Sequence, residues 1–446
     1  MRTLDRWASR FAEIPNTIEC PVMHVIGRDH EAPVFIGPGH IDIKSSTKIE
    51  FTMFATAEND AVAFQRVLRA TENQYDILNQ FRLISTDFEG VEWNCGWTLP
   101  LPERKSETGW LIRGSLNSLS TRDTGYQVDP QSGVELLFHP NLFLPMGETM
   151  LSISSIGNEE VSRRWSGGRH KVTILNSEIV FSYKPFSEAL WVTAKTSNEL
   201  PHLYAENWIA EPLRILLGKP VYPRLVARNF GDGTAAVSLR QSPEYTTNQK
   251  IASLMGDEIT STLFWELFEK LLTLIGESKG QDGMPNFEAH PITRFYEEIF
   301  QATRGSRWVL CMTLASAAEG LAKMSMKPED HRSSFALKDI ESLKTVVKAW
   351  VGDEALKDRT LNDIARSASV TVSRYLRQLV RSKALEESHA VAWMKVRNAV
   401  MHGNLISPWP TAEEDANIKS LADLVRRLTR ILIDRHTSNS PYKSEK

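Results

Sequence analysis

The sequence predicts an α+β protein, a β-rich N-terminal region followed by an all-α helical bundle, and three observations carry that expectation. Between Asn16 and about Ser197, apolar residues alternate or cluster in short runs broken by Gly, Pro, Asn and Asp, the signature of strands and turns. After the turn-rich stretch Gly280-Gln-Asp-Gly-Met-Pro the apolar period lengthens to that of a helix. A length of 446 residues exceeds one ordinary core, so more than one domain is expected. The expected division is a β-rich domain over 1–198, a mixed connecting region over 199–285 and a helical domain over 286–446.

Taken in order, strands are expected at His40-Ile-Asp-Ile-Lys-Ser, Lys48 to Phe54, Gly109 to Gly114, Val134 to Phe138 and Val172 to Leu175. A helix interrupts them over Asp60 to Asn79, where Val62, Phe64, Val67, Leu68 and Ile77 space helically. In the connecting region Leu203–Leu217 reads as a helix despite Pro212, Pro220–Leu239 as strand and Ile259–Ile275 as an apolar helix. Beyond it, Ile292, Phe295, Tyr296, Ile299 and Phe300 form one buried stripe. Trp308, Met312, Ala315 and Glu319 share the face of the next helix. A carboxylate so placed calls for a cationic partner, and Arg397 is the candidate. The last helix opens on Thr411 and Glu414, a capping box, and repeats Ile418, Leu421, Val425, Leu428 and Leu432 in a narrow seam suited to bundle or dimer packing.

Composition narrows the function. Hydrophobic content of 41% and charged content of 24% are those of a globular protein, and no run approaches the ~20 apolar residues of a membrane span. The N-terminus has no apolar leader core, so a cytoplasmic protein is expected. Cys20, Cys95 and Cys311 are far apart, against a disulfide framework or a cysteine-rich zinc site, and His24, His30 and His40 lack ligand spacing; no metal or cofactor is expected. A P-loop and a nucleophile elbow are both missing from the sequence. Trp93, Trp97 and Trp110 read as core before they read as base-stacking platforms. The net charge of −3 excludes coating of nucleic acid by bulk charge. Locally, Arg359 to Arg397 holds eight Lys and Arg against three acids, with Arg374, Arg377 and Arg381 on one helical face. That face is equally readable as solvated surface or as a phosphate track, with Lys395 adding to it.

The strongest chemical clue is Trp393-Met-Lys-Val-Arg-Asn-Ala-Val-Met-His-Gly-Asn404 near the end of an expected helix. A guanidinium can fork onto phosphate oxygens, and an imidazole can give or take a proton near neutral pH. RNA supplies its own nucleophile, the 2′-OH. Such a site can cut RNA with His402 as general acid or base and Arg397 steadying the phosphate. Asn398 and His402 are four apart and share a face, so the amide can orient the imidazole. Arg397 lies about 140° around an ideal helix from His402, which favours a site completed by a second chain. Gly403 suits a left-handed helix cap.

With its Arg-Asn-x-x-x-His-Gly segment and preceding amphipathic helices, the chain resembles the HEPN superfamily over roughly Phe287 to His436. The β-rich region placed before that bundle is similar to the arrangement of ApeA-type antiphage proteins. The resemblance implies a four- or five-helix bundle that dimerises, a composite metal-independent endoribonuclease site built from Arg397, Asn398 and His402, and a carboxylate such as Glu319 in the first bundle helix. It also implies abortive infection in response to a phage-derived trigger, with structured RNA such as tRNA as target. Arg163 or Arg164 with His170, and Arg430 with His436, match the looser form of the motif.

A second reading stays open. Residues 360–380 resemble a helix-turn-helix, with Ala365, Val370 and Leu379 at core positions, Ser369 in place of the usual turn glycine, and Arg374, Arg377 and Arg381 presented to DNA. A third is a non-catalytic interaction protein whose β domain binds a partner.

Overall fold

The computed structural model describes all residues except 1–2, 12, 29–31, 74, 106–108, 125–132, 139–141, 147–149, 157–158, 166–167, 184–188, 243–249, 259, 282, 327–334, 368–369, 402, 404–408, 410 and 440–446. Within helices and strands it leaves aside the side chains of 150–156, 159–165, 366, 400–401 and 437–439. The fold is α+β, and the chain forms two compact units. One comprises 1–213, 220–247 and 260–287; the other comprises 214–219, 248–259 and 288–446.

The first unit opens with helix α1 (Thr3–Arg10) and strands β1 (Asn16–Gly27), β2 (Pro33–Ser45) and β3 (Lys48–Ala55), then helix α2 (Asp60–Glu72). Strands β4 (Phe81–Thr86), β5 (Glu92–Thr98), β6 (Leu101–Arg104), β7 (Trp110–Leu116), β8 (Ser118–Asp123) and β9 (Gly133–Phe138) follow. A separate hairpin, β10 (Met150–Ile156) and β11 (Glu159–Trp165), precedes β12 (Arg169–Ile174), β13 (Ser177–Tyr183) and β14 (Leu190–Lys195). Helix α3 (Ala205–Leu217), strands β15 (Pro223–Asn229) and β16 (Ala235–Arg240) and helix α4 (Ser261–Glu277) complete the series. Among the described residues, fourteen strands form one antiparallel sheet in the order β12-β13-β14-β9-β15-β16-β8-β5-β4-β1-β2-β3-β7-β6.

Strand β3 shows why these residues pleat. Ile49, Phe51, Met53 and Ala55 are buried, while Lys48, Glu50, Thr52 and Phe54 alternate towards the other face. Trp93 and Trp110 are core residues as expected, whereas Trp97 is partly exposed beneath the Arg28 guanidinium. Helix α1 is seated by buried polar groups. The carboxylate of Glu135 on β9 accepts from the Thr3 and Leu4 amides at 3.2 and 3.0 Å, capping a helix end whose amides have no partner inside the helix. Trp7 Nε1 donates to Asp123 at 2.8 Å. The three cysteines are free and buried, and burial raises their thiol pKa values, Cys95 to about 12.

The second unit holds α5 (Pro291–Ala302), α6 (Arg307–Ser325), α7 (Leu337–Ala349), α8 (Glu354–Ser367), α9 (Val372–Arg381), α10 (Glu387–Met401) and α11 (Ala412–Asn439). The expected stripe on α5 buries Ile292, Tyr296, Ile299 and Phe300, and Tyr296 Oη donates to Thr429 of α11 at 3.1 Å. Helix α6 packs against α5, α9, α10 and α11, so it is the central strut of this unit. Gly320 permits one of those approaches: a Cβ there would stand 2.2 Å from the Phe295 ring on α5. Helix α11 starts as its capping box predicts, with the Glu414 amide donating to Thr411 Oγ1 at 3.2 Å. Among the described residues no helix is long and apolar enough to cross a membrane.

Candidate functional site

Helix α10 carries Arg397 and Asn398 because its other face is anchored. Ala390, Trp393 and Val396 are buried, and Trp393 Nε1 donates to the Ala315 carbonyl of α6 at 3.1 Å. That bond fixes the helix one turn before Arg397. The guanidinium lies 5.5 Å from the Trp393 ring, at cation–π distance, and its Nε donates to Glu319 Oε2 at 3.2 Å. The carboxylate's other oxygen binds Lys323 Nζ at 2.8 Å. Lys323 is not among the residues the sequence singled out, although its i,i+4 spacing from Glu319 is a readable signal. Its ammonium most strongly, and Arg397 with it, holds the Glu319 carboxyl below the usual range against the opposing pull of partial burial.

The choice of atom matters. Arg397 is held through Nε, and among the described residues neither Nη hydrogen-bonds to an acceptor. Its side chain is 40% exposed. The two Nη groups, which can fork onto a phosphate, are thus not taken up by an acceptor among the described residues. Asn398 is exposed beside it. Helix α10 ends at Met401, and Gly403 has φ +69°, the left-handed value expected of a residue that closes a helix. His402 lies outside the described residues.

Helix α9 lies next to α10 and buries Val372, Tyr375, Leu376 and Leu379. Tyr375 Oη donates to the Ser325 carbonyl at the end of α6 at 3.0 Å, so α9 is tied into the unit. Arg374, Arg377 and Arg381 stand exposed on the opposite side and are free of carboxylate partners among the described residues. Arg377 Nη2 reaches Met394 Sδ at 3.6 Å, and Met394 is three and four residues before Arg397 and Asn398. The basic face of α9 therefore adjoins the end of α10 that carries the motif. Lys395 is different, because it pairs with Glu413 at the start of α11.

The segment 360–380 does contain two helices, α8 and α9, but their packing is not that of a helix-turn-helix. Helix α8 packs on α7, whereas α9 packs on α6 and α10. Ala365, placed in the core by that reading, is exposed, and Ile364 is buried instead. Val370 and Leu379 are buried, and Ser369 lies outside the described residues. Of the looser motif matches, His170 stacks on Trp265 at 3.8 Å in the β-rich unit. Among the described residues no three His, Cys, Asp or Glu side chains gather as a metal-binding group. Compared with protein-family models, curated proteins and solved structures, the chain has no significant match.

Proposed function

We propose that the helical unit is a metal-independent endoribonuclease of the HEPN type, acting as a homodimer whose two motifs form one composite site. The observation that supports this reading best is Arg397, braced by Glu319 and Trp393 and partly exposed, with neither Nη bonded to an acceptor among the described residues, next to the exposed Asn398. In this mechanism one His402 takes the proton of the 2′-OH, whose oxygen attacks the phosphorus. Arg397 stabilises the charge on the pentavalent phosphate, and the His402 of a second copy returns a proton to the departing 5′-oxygen. The P–O5′ bond breaks, leaving a 2′,3′-cyclic phosphate and a 5′-OH, with no net gain or loss of protons. Arg374, Arg377 and Arg381 provide the approach for the RNA backbone, and Asn398 positions the imidazole or the phosphate. Lys395 joins that track only by leaving Glu413, an exposed surface pair that solvent screening keeps weak.

An RNase acting on its own cell requires control, so the β-rich unit serves as the regulatory part in an abortive antiphage response inside the cytoplasm, with structured RNA such as tRNA as target. The test is sequencing of 5′-OH RNA ends in cells expressing the wild type or His402→Ala. Discrete ends present only with the wild type are expected. Identical end profiles would remove the proposal. The DNA-binding alternative predicts retained duplex binding in both His402→Ala and Arg397→Ala, with loss in Arg377→Ala.

A further inference from the structure

Helices α7 and α8 form an antiparallel hairpin that, among the described residues, packs chiefly on itself. Ile340 is the single buried residue of α7, and Ile364 the single one described in α8. Beside them Lys344 and Lys357 are largely buried along their stems, yet each ammonium pairs with a glutamate of its own helix, Glu341 or Glu354. The hairpin therefore has little core of its own. Helices of 13 and 14 residues are marginal in water without a packed face, so burial must come from elsewhere.

Apolar surface that can supply it is present and uncovered. At about 100° per residue, Leu343, Val346 and Trp350 lie about 60–120° to one side of Ile340, and Leu356 lies about 80° to the same side of Ile364. With Ile340 and Ile364 facing inward, antiparallel helices mirror each other across their seam, so these four side chains share one side of the hairpin. They are 45 to 63% exposed. Trp350 closes α7 and sits over the turn that follows, where a Cβ at Gly352 would stand 2.3 Å from its ring. The apolar stripe is thus wider than α8 covers, as in a helix built to pack on two neighbours.

We propose that this side of the hairpin packs on the same side of a second copy of the chain, making a four-helix bundle. Charge selects that occupant. Helix α7 carries three lysines against Asp339 and Glu341, whereas α8 with its capping Asp353 carries four acids against Lys357, Arg359 and Arg366. A two-fold axis along the hairpin sets the cationic α7 of each copy against the anionic α8 of the other, the self-complementarity that such an interface demands. The hairpin as a whole holds six charges of each sign, so it neither repels its own copy nor draws a foreign partner of either charge. The bundle gives the two copies of the proposed function a means of meeting, and it rests on that reading only for its effect on cleavage.

The test is sedimentation of the full-length protein and of two variants that place the same charge on neighbouring residues, Val346→Glu within the stripe and Thr345→Glu outside it. Both positions are exposed, so unfolding temperatures should match the wild type. The wild type should run at twice the mass of Val346→Glu, whose self-association weakens by about tenfold or more, while Thr345→Glu behaves as the wild type. Lysine cross-linking of mixed light and heavy-nitrogen copies should give inter-copy links among Lys338, Lys348 and Lys357. An unchanged mass in Val346→Glu, an equal loss in Thr345→Glu, a monomeric wild type, or inter-copy links confined to other helices would overturn the proposal. RNA cleavage in the same samples separates the two readings: mass that halves in Val346→Glu, with no sample cutting RNA, upholds the hairpin contact and removes the nuclease.

Discussion

Glu319 binds Arg397 through Nε and not through the fork, which orients the guanidinium without occupying its two Nη groups. Glu319→Gln should therefore lower RNA cleavage by roughly ten- to a hundredfold, the scale of a small misplacement of a charged group. Stability should barely change, because partly exposed pairs contribute only about 0.2–1 kcal/mol. A cleavage rate equal to that of the wild type, at equal unfolding temperature, would show that Arg397 is not positioned this way. The pairing is legible in the sequence because a carboxylate among apolar residues needs a cation, while Lys323 shows only as helical spacing. His290 illustrates what the sequence hides. It caps α5 by accepting the Ile292 amide on Nδ1 at 3.2 Å, and burial, with His436 adding to it, pushes its pKa down from 6.5 to about 4. A base whose folded-state pKa is depressed leaves the unfolded chain to take the proton first. Its stabilisation is thus complete above about pH 6.5 and fades as pH falls towards 4, by up to about 3 kcal/mol. Because His290→Asn keeps the cap and does not titrate, the unfolding temperature of the wild type should fall relative to that of the variant across this window as pH drops, and parallel pH profiles would show that His290 does not carry the effect.

At the scale of elements, the sequence is most readable where one face alone is buried. The alternation in β3, the stripe on α5 and the capping box of α11 appear where expected. Strand order was not legible, because pairs such as β9 with β15 and β8 with β16 join residues far apart in the chain and follow from long-range packing. Helix α1 was equally hidden, being only eight residues long and held by Glu135 and Asp123 from distant strands. Ala365 shows a motif overruled by context: the apolar face of α9 is claimed by α6 and α10, leaving α8 to pack on α7. Between α5 and α6, Gly320→Val should destabilise the helical unit by about 1–3 kcal/mol, since the added carbons meet the Phe295 ring. Chemical denaturation measures this directly, and an unchanged midpoint would mean the two helices separate at little cost.

At the scale of the whole molecule, the proposed composite site requires two copies of the chain. If two copies complete the site, specific activity should fall on dilution through the dimer dissociation constant and recover on concentration, with sedimentation reporting the same midpoint. Activity proportional to protein through that range would argue for a site within one chain. The central claim is that Arg397 and His402 cut RNA by directing its own 2′-OH at the adjacent phosphate. It is tested most directly by mapping a cleavage position with the purified protein and replacing that nucleotide alone with its 2′-deoxy counterpart. The account predicts that cutting at that bond stops while neighbouring ribonucleotide sites are still cut, leaving 2′,3′-cyclic phosphates. Undiminished cleavage at the deoxynucleotide would contradict it.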